Sequence, residues 1–245
     1  MGHHRLGPLA KTRKWNQVVG LIRGGAGAAQ VANATTTAAE KELLKAGKDT
    51  GVVETVFLLM RLPLAARTED FATALRECGL SVSDEPGLLE IVAAVTGAID
   101  AKMPNCRGRT DLGEMAQMAA AETLTEAIGS RLQSLFDTTP GDVQQAFARL
   151  ATSKQFGIFA KDFFARFTHK SLDYFLSKTL PEQVGEGERF RTLGQQAEFT
   201  KALDLHCRET AKIVEAYAGD WLMKHNWEQG GRSAGRTCRT SPPTR

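Results

Sequence analysis

Large apolar side chains recur along this chain at steps of three to five, the rhythm of an α-helix rather than the alternation of a strand. The pattern is densest between Ser153 and Leu180, SKQFGIFAKDFFARFTHKSLDYFLSKTL. There Phe156, Phe159, Phe163 and Phe167, then Leu172, Phe175 and Leu176, fall along one face. A stripe of that size has to be shielded from water, so it predicts a continuous helix packed against others.

The same reading gives the neighbouring elements. An Ala-rich helix is expected over 28–46, with Glu40, Lys41, Glu42 and Lys45 outward and Thr35 to Thr37 lowering its propensity. The apolar block 52–62 reads as helix from its context and is stopped by Pro63. Thr68 caps the next helix, with Glu69 and Asp70 in its first turn and Gly79 as its stop. Pro86 opens another, carrying Leu88, Leu89, Val92, Val95 and Ile99 on its face and closed by Lys102 and Pro104. Cys106 to Thr110 reads as a loop. Thr110 or Asp111 then caps a long helix to Phe136, with Met115, Met118, Ala119, Leu124, Ile128, Leu132 and Leu135 inward. Thr139, Pro140 and Asp142 start a helix ending near Leu150. The last helix spans Gln196 to His225, with Phe199, Leu203, Cys207, Val214, Tyr217 and Trp221 at near-heptad steps. Periodicity alone leaves 52–62 open between a buried helix and a buried strand, and 15–22, WNQVVGLI, fits either a short strand or a turn or two of helix.

Short loops between long helices favour antiparallel neighbours, so the fold class is all-α, an irregular bundle of about seven to nine helices. The domain reading is an exposed basic arm at 1–14, one helical domain at 15–228 with its weakest seam near 104–109, and a tail at 229–245. The tail, QGGRSAGRTCRTSPPTR, has no large apolar residue to offset its ordering entropy and is expected to be disordered. It is either a flexible basic arm or the product of a shifted or truncated reading frame. The want of a recognisable cap on the helix before it favours the second.

Charge refines this picture. The net charge is +3, yet residues 1–14 and 229–245 each carry four cations and no acid, which leaves −5 for 15–228. An acidic body argues against a broad duplex-binding face. Nucleic acid, if met at all, would be met at the termini. Cys78, Cys106, Cys207 and Cys238 show no CxxC or CxH spacing, and there is no signal peptide or apolar run of membrane-spanning length. Free thiols in a reducing cytoplasm and no membrane contact are the expectation.

Candidate chemistry is sparse. Gly20, Gly24, Gly25 and Gly27 lie between a candidate strand and a helix, where backbone amides can cradle phosphate. The dinucleotide pattern wants a small residue where Gln30 stands, and the triphosphate loop wants Lys followed by Ser or Thr, so a turn is the better reading. His3 and His4 lack a third ligand nearby. His206 offers a base or ligand beside Asp204 or Glu209, but adjacent Cys207 points about 100 degrees away, and a hydrogen-bonded boundary histidine is the simpler account. His169 and His225 read as solvated helix ends. Glu114 with Glu122 and Asp162 with Asp173 lack the ExxH spacing of di-iron bundles. Ser130, Ser134 and Ser153 stand in no nucleophile motif. Lys154, Lys161, Arg166 and Lys170 interleave with the phenylalanines like a stacking platform for single strands, but helical spacing sends most of the cations outward.

These observations predict a non-enzymatic interaction subunit or adaptor of a larger cytoplasmic assembly, with no cofactor, no metal and no evident small-molecule substrate. A protein partner or self-association would use Phe156, Phe163, Phe167, Tyr174, Tyr217 and Trp221. The alternative is a nucleic-acid-associated accessory protein contacting phosphates through Arg5, Lys11, Arg13 and Lys14. An enzyme with a site around His206 has the least behind it.

Overall fold

A Thr or Asp side chain marks the start of most helices in the chain, because an oxygen placed there accepts one of the amides the first turn leaves without a partner. The structure, a computed structural model, describes residues 12–106, 109–132, 138–220 and 224. Its helices are α1 (Arg13–Arg23), α2 (Ala28–Leu43), α3 (Thr50–Ala65), α4 (Phe71–Glu77), α5 (Leu88–Cys106), α6 (Asp111–Gly129), α7 (Pro140–Arg149), α8 (Ser153–Leu176) and α9 (Leu193–Thr210). After a break at Ala211 the chain is helical again over 212–220. Short 3-10 turns at Leu44–Lys48 and Pro181–Gln183 complete it. Among the described residues there is no strand, only an isolated bridge between Val184 and Phe190. The chain is an all-α multi-helix bundle, as the periodicity predicts.

The caps are Thr12, Asp49, Asp70, Thr110, Thr139, Thr152 and Thr192. Thr139 and Asp142 form a reciprocal pair: the Asp142 amide donates to Thr139 Oγ1 at 3.2 Å, and the Thr139 amide donates to Asp142 Oδ2 at 3.0 Å. The Thr139 hydroxyl and amide together hold the Asp142 carboxyl below its ordinary range.

Several boundaries differ from the sequence reading. The 15–22 segment is helix, and Val18 and Ile22 are its buried positions. Pro63 does not stop α3; its missing N–H falls in the last turn, and the Ala66 amide still reaches the Leu62 carbonyl at 3.1 Å. Thr68 is not the cap of α4, because its hydroxyl donates to the Ala65 carbonyl at 2.7 Å and Asp70 takes the capping role. Pro86 lies outside α5, which begins at Leu88 and runs past Pro104 to Cys106. On that helix Leu89 faces water, 73% exposed, and Ile91 takes the inward place. α6 ends at Gly129 rather than Phe136, Met118 is exposed, and Leu135 lies outside the described residues. The last helix starts at Leu193 and breaks at Ala211, where a single continuous helix was expected. The tail at 229–245 and arm residues 1–11 also lie outside the described residues.

Two apolar clusters organise the bundle. The larger gathers α3 to α7 around the first half of α8, with Leu58, Ile91, Leu124, Phe147, Phe159 and Phe163 at its centre. The smaller joins α1, α2 and α9 to the second half of α8, through Ile22, Val31, Leu172, Leu176 and Leu203. All seven large residues of the aromatic stripe are buried. α8 is therefore a strut common to both clusters.

Glycines set the closest crossings. A Cβ added to Gly51 on α3 would lie 2.7 Å from the Cα of Gly113 on α6, so these backbones touch with nothing between them. Helix 212–220 crosses α8 in the same manner: a Cβ on Gly157 would lie 2.5 Å from the Glu215 carbonyl oxygen, and one on Gly219 would meet Ser153. Residue 215 opposes 157 and residue 219 opposes 153, so the two helices run antiparallel.

Candidate interaction surface

Along α3, Val53, Val56, Phe57, Met60 and Leu64 recur at steps of three and four, which spreads them over a single face about 100 degrees wide. None of the five is fully buried. Val53 is 51% exposed and Phe57 43% exposed. Beside this stripe a groove runs between α3 and α8. Val56, Leu59 and Met60 form one wall, and Phe156, Phe159, Phe163 and Phe164 form the floor and opposite wall. Ala218, from helix 212–220, closes one end.

The aromatic floor is held by ring packing. Phe163 meets Phe164 edge-on with centroids 5.0 Å apart, and stacks on Phe167 at 6.1 Å. The groove encloses about 220 Å³, and all its lining side chains among the described residues are apolar. Ligand pockets for drug-sized molecules span roughly 300–1,000 Å³ and contain polar groups that orient the ligand. This groove has neither the room nor the polar groups. It is suited to two or three apolar side chains.

The predicted interaction residues fall in different places. Phe156, Phe163 and Phe167 are buried inside the larger cluster, at 4%, 1% and 8% exposure, so their rings support the groove without standing on the outer surface. Tyr174 is half-buried near the far end of α8, its ring edge-on to Phe175. Tyr217 is exposed on helix 212–220, with Ile213 one turn before it. Trp221 lies outside the described residues. Sequence reasoning missed the α3 stripe, because an apolar block stopped by a proline reads as fully buried. The step of 53, 57, 60 and 64 was the available signal.

The basic arm does not form a patch in the described residues. Arg5 and Lys11 lie outside them, while Arg13 and Lys14 belong to α1. Lys14 Nζ donates to the Thr37 carbonyl at 3.2 Å and lies 3.7 Å from Glu40. The glycine-rich turn joins two helices, so the strand that phosphate loops require is missing from it. Its Ile22 and Ala26 carbonyls accept hydrogen bonds from Arg189, whose guanidinium also lies 4.4 Å from the Phe199 ring centroid. The turn is thereby tied to the second cluster.

A polar seam crosses α6, α8 and α9. Arg166 is buried, an exception to the outward placing expected of most of these cations, and donates to Glu126 and to Thr123 Oγ1. Lys170 pairs with Glu122 at 2.7 Å. His169 is not at a helix end but on the middle turns of α8, its Nδ1 4.0 Å from Asp204 Oδ1 and its Nε2 buried without a partner. Asp204 accepts from Arg208 Nε at 2.8 Å, so the carboxylate proposed to serve His206 is engaged by Arg208 and turned toward His169. Cys207 is buried, which pushes its thiol up to about 11, away from reactive thiolate. Among the described residues no group of three or more His, Cys, Asp or Glu side chains is placed to hold a metal ion. No described helix is long and apolar enough to cross a membrane.

The class these features define is an all-α bundle with a half-open apolar groove. No protein-family model matches the chain, and neither does any curated protein or solved structure.

Proposed function

We propose that this protein works through protein–protein contact, as a non-enzymatic subunit or adaptor in a larger cytoplasmic assembly. The observation that carries the reading is the α3 stripe. A helix that turns Val53 and Phe57 to water beside a groove lined by Val56, Met60 and Phe164 gains by laying that face against an apolar surface. The fitting partner is an amphipathic helix with anchors at steps of three and four, a standard way of filling such a groove. Cys78 and Cys207 are both unbridged, which suits a reducing compartment.

The test compares the unmodified chain with a Val53→Glu/Phe57→Glu variant. Light scattering behind size-exclusion chromatography reads self-association, and affinity capture reads complexes with other proteins. A complex lost by the variant, with helical content unchanged, supports the reading. A strictly monomeric protein that captures nothing, or a complex indifferent to both substitutions, overturns it.

A further inference from the structure

α5 is apolar on every side, yet one of its sides is exposed. Between Leu88 and Ile99 its only charge is Glu90, and that carboxylate is turned back to accept from the Ser83 amide at 2.6 Å and the Ser83 hydroxyl at 2.9 Å. Leu88, Ile91, Val95 and Ile99 are buried on the inner side. On the outer side Leu89, Ala93, Gly97 and Ala101 follow at steps of four, all of them exposed. A helix with no polar face belongs where it is covered all round. α6 extends this outer side. The Gln117 side-chain amide donates to the Thr96 carbonyl at 2.8 Å and sets the two helices edge to edge, and Met118, Ala121 and Thr125 continue the surface without a charge. Leu89 and Met118 both have the spacing of core residues in the sequence, and they are 73% and 53% exposed.

The extent of this face suits a folded partner. Two helices of 19 residues, each about 28 Å long with axes about 9 Å apart, present a face of about 28 by 20 Å. That is about 560 Å² in projection and more along its ridges, the order of the roughly 800 Å² that each partner buries in a stable dimer. Glycines and end charges name the partner as a second copy. Within the molecule, close helix crossings carry a glycine on each helix: Gly51 opposite Gly113, and Gly157 and Gly219 where α8 meets helix 212–220. Gly97, midway along the outer side of α5, has nothing within 4 Å of where its Cβ would stand. A two-fold axis beside it supplies the missing glycine. The ends of the face are opposite in charge. Asp84 and Glu85 are exposed before the start of α5, while Lys102 and Arg109, 58% and 51% exposed, stand at its far end, Arg109 held there by Asp100 at 2.7 Å. Antiparallel pairing about Gly97 brings residue 85 near residue 109 of the other copy, so each acidic end meets a basic one.

We propose that the outer face of α5 and α6 is a homodimer interface, with two copies crossing antiparallel at Gly97 and with Leu89 and Met118 of each covered by the other. The pairing uses neither α3 nor α8, so it goes beyond the reading of the α3/α8 groove and stands apart from it.

Light scattering behind size-exclusion chromatography, run as a concentration series on the full-length chain, tests this. The unmodified chain should reach twice its 26.6 kDa. Leu89→Glu and Gly97→Leu should each leave a monomer at the same concentrations, with the thermal midpoint of the monomer not lowered, since both new side chains point into open space. Glu85→Lys should weaken the dimer several-fold at low salt and less at high salt. A chain that stays monomeric throughout the series overturns the proposal, as does a dimer that survives Gly97→Leu, or one lost only with Val53→Glu/Phe57→Glu. A dimer that Glu85→Lys leaves unchanged overturns the antiparallel order. Because Leu89→Glu removes the homodimer and leaves α3 intact, affinity capture repeated in that background reads the α3/α8 groove by itself.

Discussion

Arg166 sits seven residues after Phe159, two turns up the same face of α8, and that step buries a cation among phenylalanines. Its guanidinium remains paired because Glu126, Thr123 and the Asp162 carbonyl all lie within reach. A buried charge kept with its partners costs little, but one stripped of them costs several kcal/mol. Glu126 is itself 68% exposed, which moderates the effect. Glu126→Gln is therefore expected to lower stability by about 1 kcal/mol, read by urea denaturation. The seven-residue step from Phe159 is visible in the sequence, but the reading that helical spacing sends most of the cations outward treats the four cations as a group and passes over it.

At Cys207 the thiol is pushed up to about 11 from an ordinary value of 9.0, first by burial and then by the nearby Asp204 carboxylate. A group whose folded value is raised contributes stability that is intact below the unfolded value and lost as pH climbs through the folded one. Stability should thus fall between about pH 9 and pH 11, and Cys207→Ala should flatten that part of the profile. Thiol exchange at pH 8 should be much slower at Cys207 than at the partly exposed Cys78, because the thiolate is the reacting form. Equal rates at the two sites would contradict the burial.

Among elements, the start signals carried the most information. Thr139, Pro140 and Asp142 predicted α7, and the structure has the reciprocal cap there. Thr139→Ala should cost about 1 kcal/mol, measured as a shift in denaturation midpoint with an unchanged slope. The sequence reading puts the cap at Thr68 and Asp70 in the first turn, whereas the α3 terminus takes the Thr68 hydroxyl and leaves the capping to Asp70. The adjacent Leu88 and Leu89 give no phase in the sequence, and only the packing separates the buried Leu88 from the exposed Leu89. The glycine crossings were beyond the sequence, since a glycine in a helix looks the same whether its missing side chain faces water or another backbone. Gly157→Ala should destabilise by about 1–3 kcal/mol as α8 and helix 212–220 are forced apart. Gly20→Ala, in α1 with open space around it, should instead stabilise by about 0.5–1 kcal/mol. Identical substitutions of opposite sign, read by thermal denaturation, test the crossing directly.

For the molecule as a whole, the periodicity foretold the fold class and the burial of the aromatic stripe, while the division into two clusters came only with coordinates. Leu203 is fully buried in the smaller cluster and Phe163 lies at the heart of the larger. Since α8 belongs to both, Leu203→Ala should shift the entire helical signal to lower denaturant in a single transition, at a cost of about 2–5 kcal/mol. A biphasic transition would show that the clusters melt separately.

The smaller cluster also has a temporal side. Arg189 reaches back 167 residues to the carbonyl of Ile22, and the surfaces of α1 and α2 are completed by residues from the last third of the chain. At synthesis rates of about 5–20 residues per second, the ribosome delivers those surfaces about 10–30 s before their counterparts. Throughout that interval Val18, Ile22 and Val31 have only one another to pack against, and the rest of their apolar surface waits for Leu172, Leu176 and Leu203.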